Sequence, residues 1–424
     1  MRQVRRKTVD PIARTYLLKA KGEGVDLSWN RYEAMLPQDG FSLLGLSCYE
    51  CLQGPCRLNP FRPDETSTVC GLTKEDLVFN WLSRQAGKIE DLAEYAGMLM
   101  KEFTSKAAEG KINVKSLQEK AYKWAVKGED IGLLVTGLTD KVKEMIASRT
   151  RIKNGTPDER VNAIMAMGSQ RVELMDLVND LMETFGEKPG VVSRQVGLGV
   201  LKPKAVNICF EGVSPVLLSY AQGLVVELHQ EAVNKGATDG FNVVLSGELS
   251  PYHPFNAVTN QGSVELALLT GLVDLYFMGK EIPGCGKKMI QLYHSVAADS
   301  AKDQQELRQL FISAADAYSR RDPVKILGST QIEDAVTGYT LDPDRVKASL
   351  EQGSIKGICI LGGGSNVKAT GDEVIIKAAQ QLATQDVLCL TYGNSAVTLG
   401  KYGFLKSGEG SKAVSYIHLR AHET

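Results

Sequence analysis

Four cysteines crowd between residues 48 and 70, as Cys48-Tyr-Glu-Cys51-Leu-Gln-Gly-Pro-Cys56-Arg and then Cys70-Gly. Spacings of two and four residues bend a chain around a [4Fe-4S] cubane, with Gly54-Pro55 supplying a turn and its amides facing the sulfurs. Arg57 places a positive charge beside such an anionic group. A four-cysteine zinc site is the competing reading, although zinc sites usually pair two short Cys-x-x-Cys arms instead of this lopsided set. On spacing alone, both stand.

The chain holds eight cysteines in 424 residues, too few for a disulfide scaffold. Cys285 lies in a Gly-Cys-Gly loop and reads as an exposed thiol or a lone metal ligand. Cys209, Cys359 and Cys389 sit inside β-rich runs and read as small core residues.

A second group of candidates stands at strand ends. From about residue 205 short β-rich runs alternate with amphipathic stretches: Ala205 to Phe210, Phe241 to Ser246, Val273 to Met278, Val324 to Leu327, Ile355 to Leu361 and Val387 to Leu390. This alternation predicts parallel sheets covered by helices, and ligand sites in such sheets lie beyond the carboxyl ends of the strands. Glu211, Glu248, Glu281, Gly364 and Asn394 each follow a strand there. If Glu211, Glu248 and Glu281 converge, they suit iron, manganese or magnesium, or act as acid and base on a substrate. His253 and His294 are the imidazoles close enough in sequence to join them. The bland alternative is that the glutamates are solvated or cap the following helices. The run Gly362-Gly363-Gly364-Ser365-Asn366 matches no dinucleotide or Walker motif and reads as a tight turn.

The elements that position these residues divide by hydrophobic period. From about 74 to 186 the pattern is helical, with Ile89, Leu92, Ala96, Leu99 and Phe103 on one face and Gly110 as a stop. Thr73 with Asp76 begins a helix that should bury Leu77, Val78, Trp81 and Leu82. Thr156-Pro157-Asp158-Glu159 is a second capping box. The expected class is α/β: a helical bundle over 1–200 carrying the cysteine motif, a Rossmann-like domain over 201–330, and a truncated second one over 331–424.

Charge excludes some partners. Forty-nine Lys and Arg against 50 Asp and Glu give no field to attract nucleic acid or an anionic membrane. Val264 to Met278, the most apolar stretch, is broken by Glu265 and Asp274 and is too short to span a bilayer. Arg2, Arg5, Arg6 and Lys7 precede Pro11 without an apolar segment, so no secretory signal is expected and the predicted location is an anaerobic cytoplasm.

Several segments resemble the nickel-iron carbon monoxide dehydrogenase catalytic subunit, whose fold is shared with the hybrid-cluster proteins. They are Arg31-Tyr-Glu-Ala-Met-Leu-Pro-Gln, Gly54-Pro-Cys-Arg-Leu, Val69-Cys-Gly, Leu198-Gly-Val-Leu-Lys-Pro-Lys, Leu266-Ala-Leu-Leu-Thr-Gly-Leu-Val-Asp, Gly364-Ser-Asn-Val-Lys and Lys401-Tyr-Gly-Phe-Leu. The resemblance implies a helical domain followed by two Rossmann-like domains. It also implies that Cys48, Cys51, Cys56 and Cys70 hold one electron-relay [4Fe-4S] cluster, in a homodimer that trades electrons with a partner such as a ferredoxin.

The sequence also departs from that family. Asp39 and Ser47 stand where a dimer-bridging cluster takes cysteines, so packing around residues 30–60 is expected to hold the dimer instead. The segment matching the family's His-Gly reads Glu211-Gly212-Val213, a cysteine pair falls within Ser246-Gly247-Glu248, a further cysteine aligns with Glu281, and two more fall at Gly364 and Asn394. The histidine-rich proton segment is shortened to Arg84-Gln-Ala-Gly-Lys-Ile-Glu, and the family's final ligand and catalytic lysine fall beyond Thr424. Nickel and CO oxidation are therefore not expected. Two functional readings follow: a divergent oxidoreductase with a remodelled site, or a non-catalytic electron-transfer or redox-sensing protein that docks a partner.

Overall fold

The computed structural model describes residues 7–62, 64, 67–86, 114–147, 156–166, 173, 177, 191–213, 215–251, 253–278, 289–301, 303–338, 343–406 and 413–415. The expected face from Ile89 to Phe103 and the stop at Gly110 lie outside these residues. The chain forms two compact units, one of residues 35–187 and one of residues 1–34 with 188–424.

Among its described residues the first of these is helical apart from one short hairpin, β1 (Ser47–Cys48) and β2 (Cys56–Arg57). Its helices include Lys74–Ala86, Val114–Lys123 and Ile131–Ala147, with another over 157–166. Both capping boxes form. The Asp76 amide donates to Thr73 Oγ1 at 3.2 Å while the Thr73 amide donates to Asp76 Oδ2 at 2.8 Å. The Thr156 amide likewise donates to Glu159 Oε2 at 2.7 Å. Asp76 also takes an ion pair from Arg160, whose guanidinium lies over the Phe79 ring, tying the two capped helices together. Leu77 is buried as expected, but Val78 is only half-buried, and Trp81 and Leu82 are 38% and 37% exposed. One turn of apolar periodicity therefore overstated how much of this helix is covered. The Trp81 side chain instead lies against Gly45, within 3.3 Å of where a Cβ there would stand.

The other unit is built on a seven-stranded sheet of β3 (Val192–Val196), β4 (Val206–Glu211), β5 (Phe241–Ser246), β6 (Asn256–Thr259), β7 (Val273–Met278), β8 (Val296–Ala298) and β9 (Glu333–Thr337). The order is β8-β7-β4-β5-β6-β3-β9, parallel throughout except for β9 at the edge. Every residue of β4, β5 and β7 is buried, because helices cover both faces and a strand so placed must be apolar along its length. Phe311, from the helix Gln304–Ser319, meets Phe241 on one face. On the other, Ala13, Tyr16 and Ala20 pack with Leu266, Leu269, Cys209 and Tyr276. The strand order reverses between β4 and β7, which makes their carboxyl ends the switch point of a doubly wound sheet.

A smaller parallel sheet follows, ordered β10 (Gly357–Leu361), β11 (Val387–Thr391) and β12 (Ala413–Ser415). The strand expected over Val324–Leu327 is not one. Asp322 accepts a hydrogen bond from the Val324 amide at 3.0 Å, and Pro323 opens a single 3-10 turn, so cap and proline override four β-favouring residues.

The two sheets are joined through one buried cation. Lys401 Nζ donates to Asp10 Oδ2 at 2.9 Å and to Asp372 Oδ2 at 2.6 Å, with all three side chains nearly inaccessible. Asn260, just past β6, donates to Asp372 Oδ1 at 2.9 Å and to Thr398 at 3.0 Å. Among the described residues no helix is long and apolar enough to cross a membrane.

Burial alone would push the Lys401 pKa down, but the charges of Asp372 and Asp10 and their hydrogen bonds reverse this and raise it. Lys401→Met leaves two buried carboxylates without a counter-ion, so chemical denaturation at pH 7 should show a loss of about 3–5 kcal/mol. A raised folded-state pKa means the stabilisation is complete below the unfolded value of 10.5 and fades as pH rises through the folded one. The gap between wild type and variant should therefore hold through neutral pH and shrink only above about pH 10.5. A gap below 1 kcal/mol at pH 7 would contradict this assignment.

Candidate functional site

The cysteine motif is organised by its hairpin. Cys48 and Cys56 are cross-strand partners, so their side chains share a face, and both pack against Leu58, Leu72 and Leu77. Cys48 is buried, Cys56 half-buried, and Cys51 and Cys70 exposed. The Gly54 amide donates to the Cys51 carbonyl at 3.1 Å. A Cβ at Gly54 would lie 3.4 Å from the Cys48 and Cys51 carbonyls and the Cys56 amide, which shows how tightly the turn is wound between the thiols.

Cys70 sits on a second turn. The Thr68 amide donates to the Leu72 carbonyl at 2.8 Å, and the Leu72 amide donates to Thr68 Oγ1 at 2.9 Å. Thr68 Oγ1 lies 3.3 Å from Cys70 Sγ, and that hydrogen bond, with the Leu72 amide behind it, lowers the thiol's pKa. Arg57 stacks over the Phe41 ring, 4.8 Å from its centroid. Four thiols around two glycine turns are soft donors of the kind that hold iron-sulfur clusters or zinc.

Beside the hairpin, Asp39 caps the helix Gly40–Leu43. Its carboxylate accepts from the Phe41 amide at 3.0 Å, Ser42 Oγ at 2.8 Å and Ser47 Oγ at 3.1 Å. These bonds, the Ser42 hydroxyl foremost, hold the carboxyl below its usual pKa. The two residues expected to replace cysteines are thus bonded to one another.

The strand-end residues come from both sheets of the larger unit. Glu211 is the last residue of β4 and is buried at the switch point, where Tyr276 of β7 donates its hydroxyl to Glu211 Oε2 at 2.7 Å. Glu248 is half-buried, two residues beyond β5. Asn394, at the start of the helix Gly393–Lys401, accepts from the Gln261 amide at 2.7 Å and donates to Gln261 Oε1 at 2.9 Å. Gly247 is left-handed at φ +77°, and a Cβ there would stand 2.8 Å from Gln261 Cγ and 2.9 Å from Asn394 Oδ1. Gly364 packs against Asn394 from β10's side, its Cβ position 3.2 Å from that of Asn394. The structure therefore brings Gly247, Gly364 and Asn394 together and fills the space between them with amide side chains. Ser246 Oγ and Thr391 Oγ1, at the ends of β5 and β11, are buried without a hydrogen-bond partner among the described residues.

The histidines stand apart from this group. His253 precedes β6 and so flanks the amino end of the sheet, with its carbonyl accepting from Arg194 Nε at 3.0 Å and its ring stacked on Phe255. Both its ring nitrogens are buried without a hydrogen-bond partner among the described residues, and burial, then the charge of Arg194, push its pKa down to about 4. His294 is exposed just before β8, also at an amino end, with φ +57°. Glu211 lies at the opposite end of the same parallel sheet. Glu281 and Cys285 lie outside the described residues. Among those described, no three His, Cys, Asp or Glu side chains stand close enough to hold a single metal ion; a cubane differs in spreading its four thiolates over four irons.

Of the remaining cysteines, Cys209 is wholly buried in β4, where burial and the nearby Glu211 raise its pKa, as suits an inert core thiol. Sequence reasoning missed Tyr276 and Gln261. The first is a hydroxyl-bearing residue inside an apolar strand, and the second lies in a turn joined to Asn394 only through tertiary structure.

Residues 79–415 match the Prismane/CO dehydrogenase family. Carbon monoxide dehydrogenase 2 of Carboxydothermus hydrogenoformans is 28% identical over an alignment covering 96% of this chain and 78% of that protein. In fold, the chain is similar to carbon monoxide dehydrogenase IV of the same organism, with a TM-score of 0.82 at 22% identity, covering 97% of this chain and 82% of that one. It is also similar to a nickel-free carbon monoxide dehydrogenase from Thermococcus sp. AM4, with a TM-score of 0.83 at 19% identity over 96% and 80% of the two chains. With doubly wound parallel sheets beyond a helical cysteine-bearing unit, and a family match over most of its length, the chain belongs to the Prismane/CO dehydrogenase family.

Proposed function

We propose that this chain is a divergent iron-sulfur oxidoreductase that keeps one [4Fe-4S] electron-transfer cluster and has lost the nickel-iron site of its relatives. The observation that carries the first half is the thiol set of Cys48, Cys51, Cys56 and Cys70, two on facing strands and two on exposed turns. A cubane there supplies one-electron transfer. The chain's own part is to present four thiolates and to keep Cys48 and Cys56 against an apolar floor that limits water.

The second half rests on the donor chemistry at the strand ends. Glu211, Glu248, Gly364 and Asn394 offer no thiolate among the described residues, and nickel in a sulfide cage needs soft ligands. Asn394 is already committed to Gln261 through two hydrogen bonds. The residues present do not fit a nickel-iron-sulfur cluster. Glu211 with Tyr276 is the remaining polar pair at the switch point, and a buried carboxylate bonded to a phenol suits proton transfer to a bound substrate.

One observation favours the alternative, a non-catalytic electron carrier that docks a partner. Tyr49, Leu52, Phe61 and Val69, all close in sequence to the cysteines, are exposed, with Leu52 fully so. Met35, Leu36, Leu43 and Leu44 are exposed as well, and Asp39 and Ser47 bond each other. This supports a homodimer packed through residues 35–69 without a bridging metal.

Three measurements test this reading. Protein purified anaerobically should carry about four irons and matching acid-labile sulfide per chain, and Cys51→Ser should lose most of the brown absorbance that dithionite bleaches. Wild-type protein with zinc and no sulfide overturns it. Analytical ultracentrifugation should give a dimer that Leu43→Asp with Leu44→Asp converts to monomer; a wild-type monomer contradicts that arrangement. After reconstitution with nickel and iron under reducing conditions, no CO-dependent viologen reduction should be detected. Robust CO oxidation would show that the strand-end substitutions build a metal site after all.

A further inference from the structure

Cys359 and Cys389 are far apart in sequence but are Cα partners in the parallel pairing of β10 with β11. Adjacent strands lie about 4.8 Å apart. That separation falls inside the roughly 4.4–6.8 Å over which Cα atoms accept a disulfide. Because the two residues share a register position, their side chains leave the sheet on the same face. Cys389 is buried and its Sγ lies 3.9 Å from the Val387 carbonyl, while Cys359 on the edge strand is half-buried. Neither residue belongs to the cysteine motif or to the strand-end set. One is reached by solvent and the other is covered, which is the arrangement of an attacked thiol beside a resolving one.

We propose that Cys359 and Cys389 form a reversible cross-strand disulfide when the protein meets a peroxide. Hydrogen peroxide oxidises the Cys359 thiolate to a sulfenic acid and leaves as one water. The Cys389 sulfur then attacks that sulfur, the S–O bond breaks, and a second water departs with the thiol proton. Two thiols and one peroxide thus give one disulfide and two waters. A link between directly opposed residues of neighbouring strands departs from relaxed disulfide geometry, so it should be readily reduced, as regulatory bonds are. Its position gives it consequence. β10 ends at Leu361 and β11 at Thr391, and these strands deliver Gly364 and Asn394 to the strand-end site. A bond two residues before both ends fixes their relative position.

The test uses the full chain, purified anaerobically with its metal in place. It is treated with a few equivalents of hydrogen peroxide, denatured with N-ethylmaleimide, digested and read by mass spectrometry. The expected product is a Cys359–Cys389 cross-linked peptide, absent before treatment and removed by a phosphine reductant. In Cys359→Ser, a change at a half-exposed edge position that should leave the fold intact, Cys389 should remain alkylatable after the same treatment. The readout is resolved by peptide, so damage to the motif at Cys48–Cys70 does not obscure it. Sulfinic or sulfonic acid at Cys359 with Cys389 still a thiol, or a link from Cys359 to any other cysteine, overturns the proposal.

Discussion

A single buried cation holds the candidate site in shape. Lys401 is clamped between Asp10 from the N-terminal segment and Asp372 from the turn before the helix Glu373–Thr384. Two carboxylates and one ammonium leave a net negative charge with little solvent, and Asn260 and Tyr402 supply the further donors that Asp372 needs. Asp10 is itself bound to the Ile12 amide, and the segment before it pairs with Gly371. Three remote stretches of chain therefore meet at one charge. Because Asn260 adjoins Gln261, and because Asn394 lies two helical turns before Lys401, the same clamp sets the Gln261–Asn394 contact.

The two candidate centres differ in chemistry in a way the packing explains. The cysteine motif sits on short, exposed turns whose geometry is set locally, by Gly54 and by the Thr68–Leu72 turn. The strand-end site is assembled from residues more than a hundred positions apart, and each replacement there changes a void that its neighbours must fill. Asn394 and Gln261 fill theirs with two mutual hydrogen bonds, and Gly247 is small and left-handed because any Cβ would strike both. Among the described residues this strand end is a hydrogen-bonded seam with a buried carboxylate beside it.

How far this was legible in the sequence depends on the range of the interaction. Phe241–Ser246 and Val273–Met278 read as strands to the residue, since full burial on two faces demands an unbroken apolar run. β3, β6, β8, β9 and β12 were missed: β8 and β12 are three residues long, Asn256–Thr259 is short and follows two prolines, and β3 and Glu333–Thr337 carry polar residues along much of their length. Val324–Leu327 looked like a strand because its residues favour β, whereas Asp322 and Pro323 turn the chain there. The Gln261 and Tyr276 contacts needed the topology that carries β7 past β4, which no local pattern encodes. The cross-strand neighbours Cys359 and Cys389 looked like ordinary core residues for the same reason.

The amino end of the large sheet carries a buried polar network of its own. There Asn207 donates to the carbonyls of Lys202 and Leu272 and accepts from Asn242 at 2.7 Å, while its own amide donates to Asp274 at 2.7 Å. Arg321 grips Asp274 and donates to the carbonyls of Pro203, Ala205 and Leu272. This network fixes the register of β4, β5 and β7 from below with every buried polar group partnered, so the strands do not depend on ligands at their far ends for alignment. In a parallel sheet the two ends are separated by the full strand length, and a change at one is felt weakly at the other. Gly247 stands at the opposite end of β5, where the Gln261–Asn394 contact leaves no room for a Cβ.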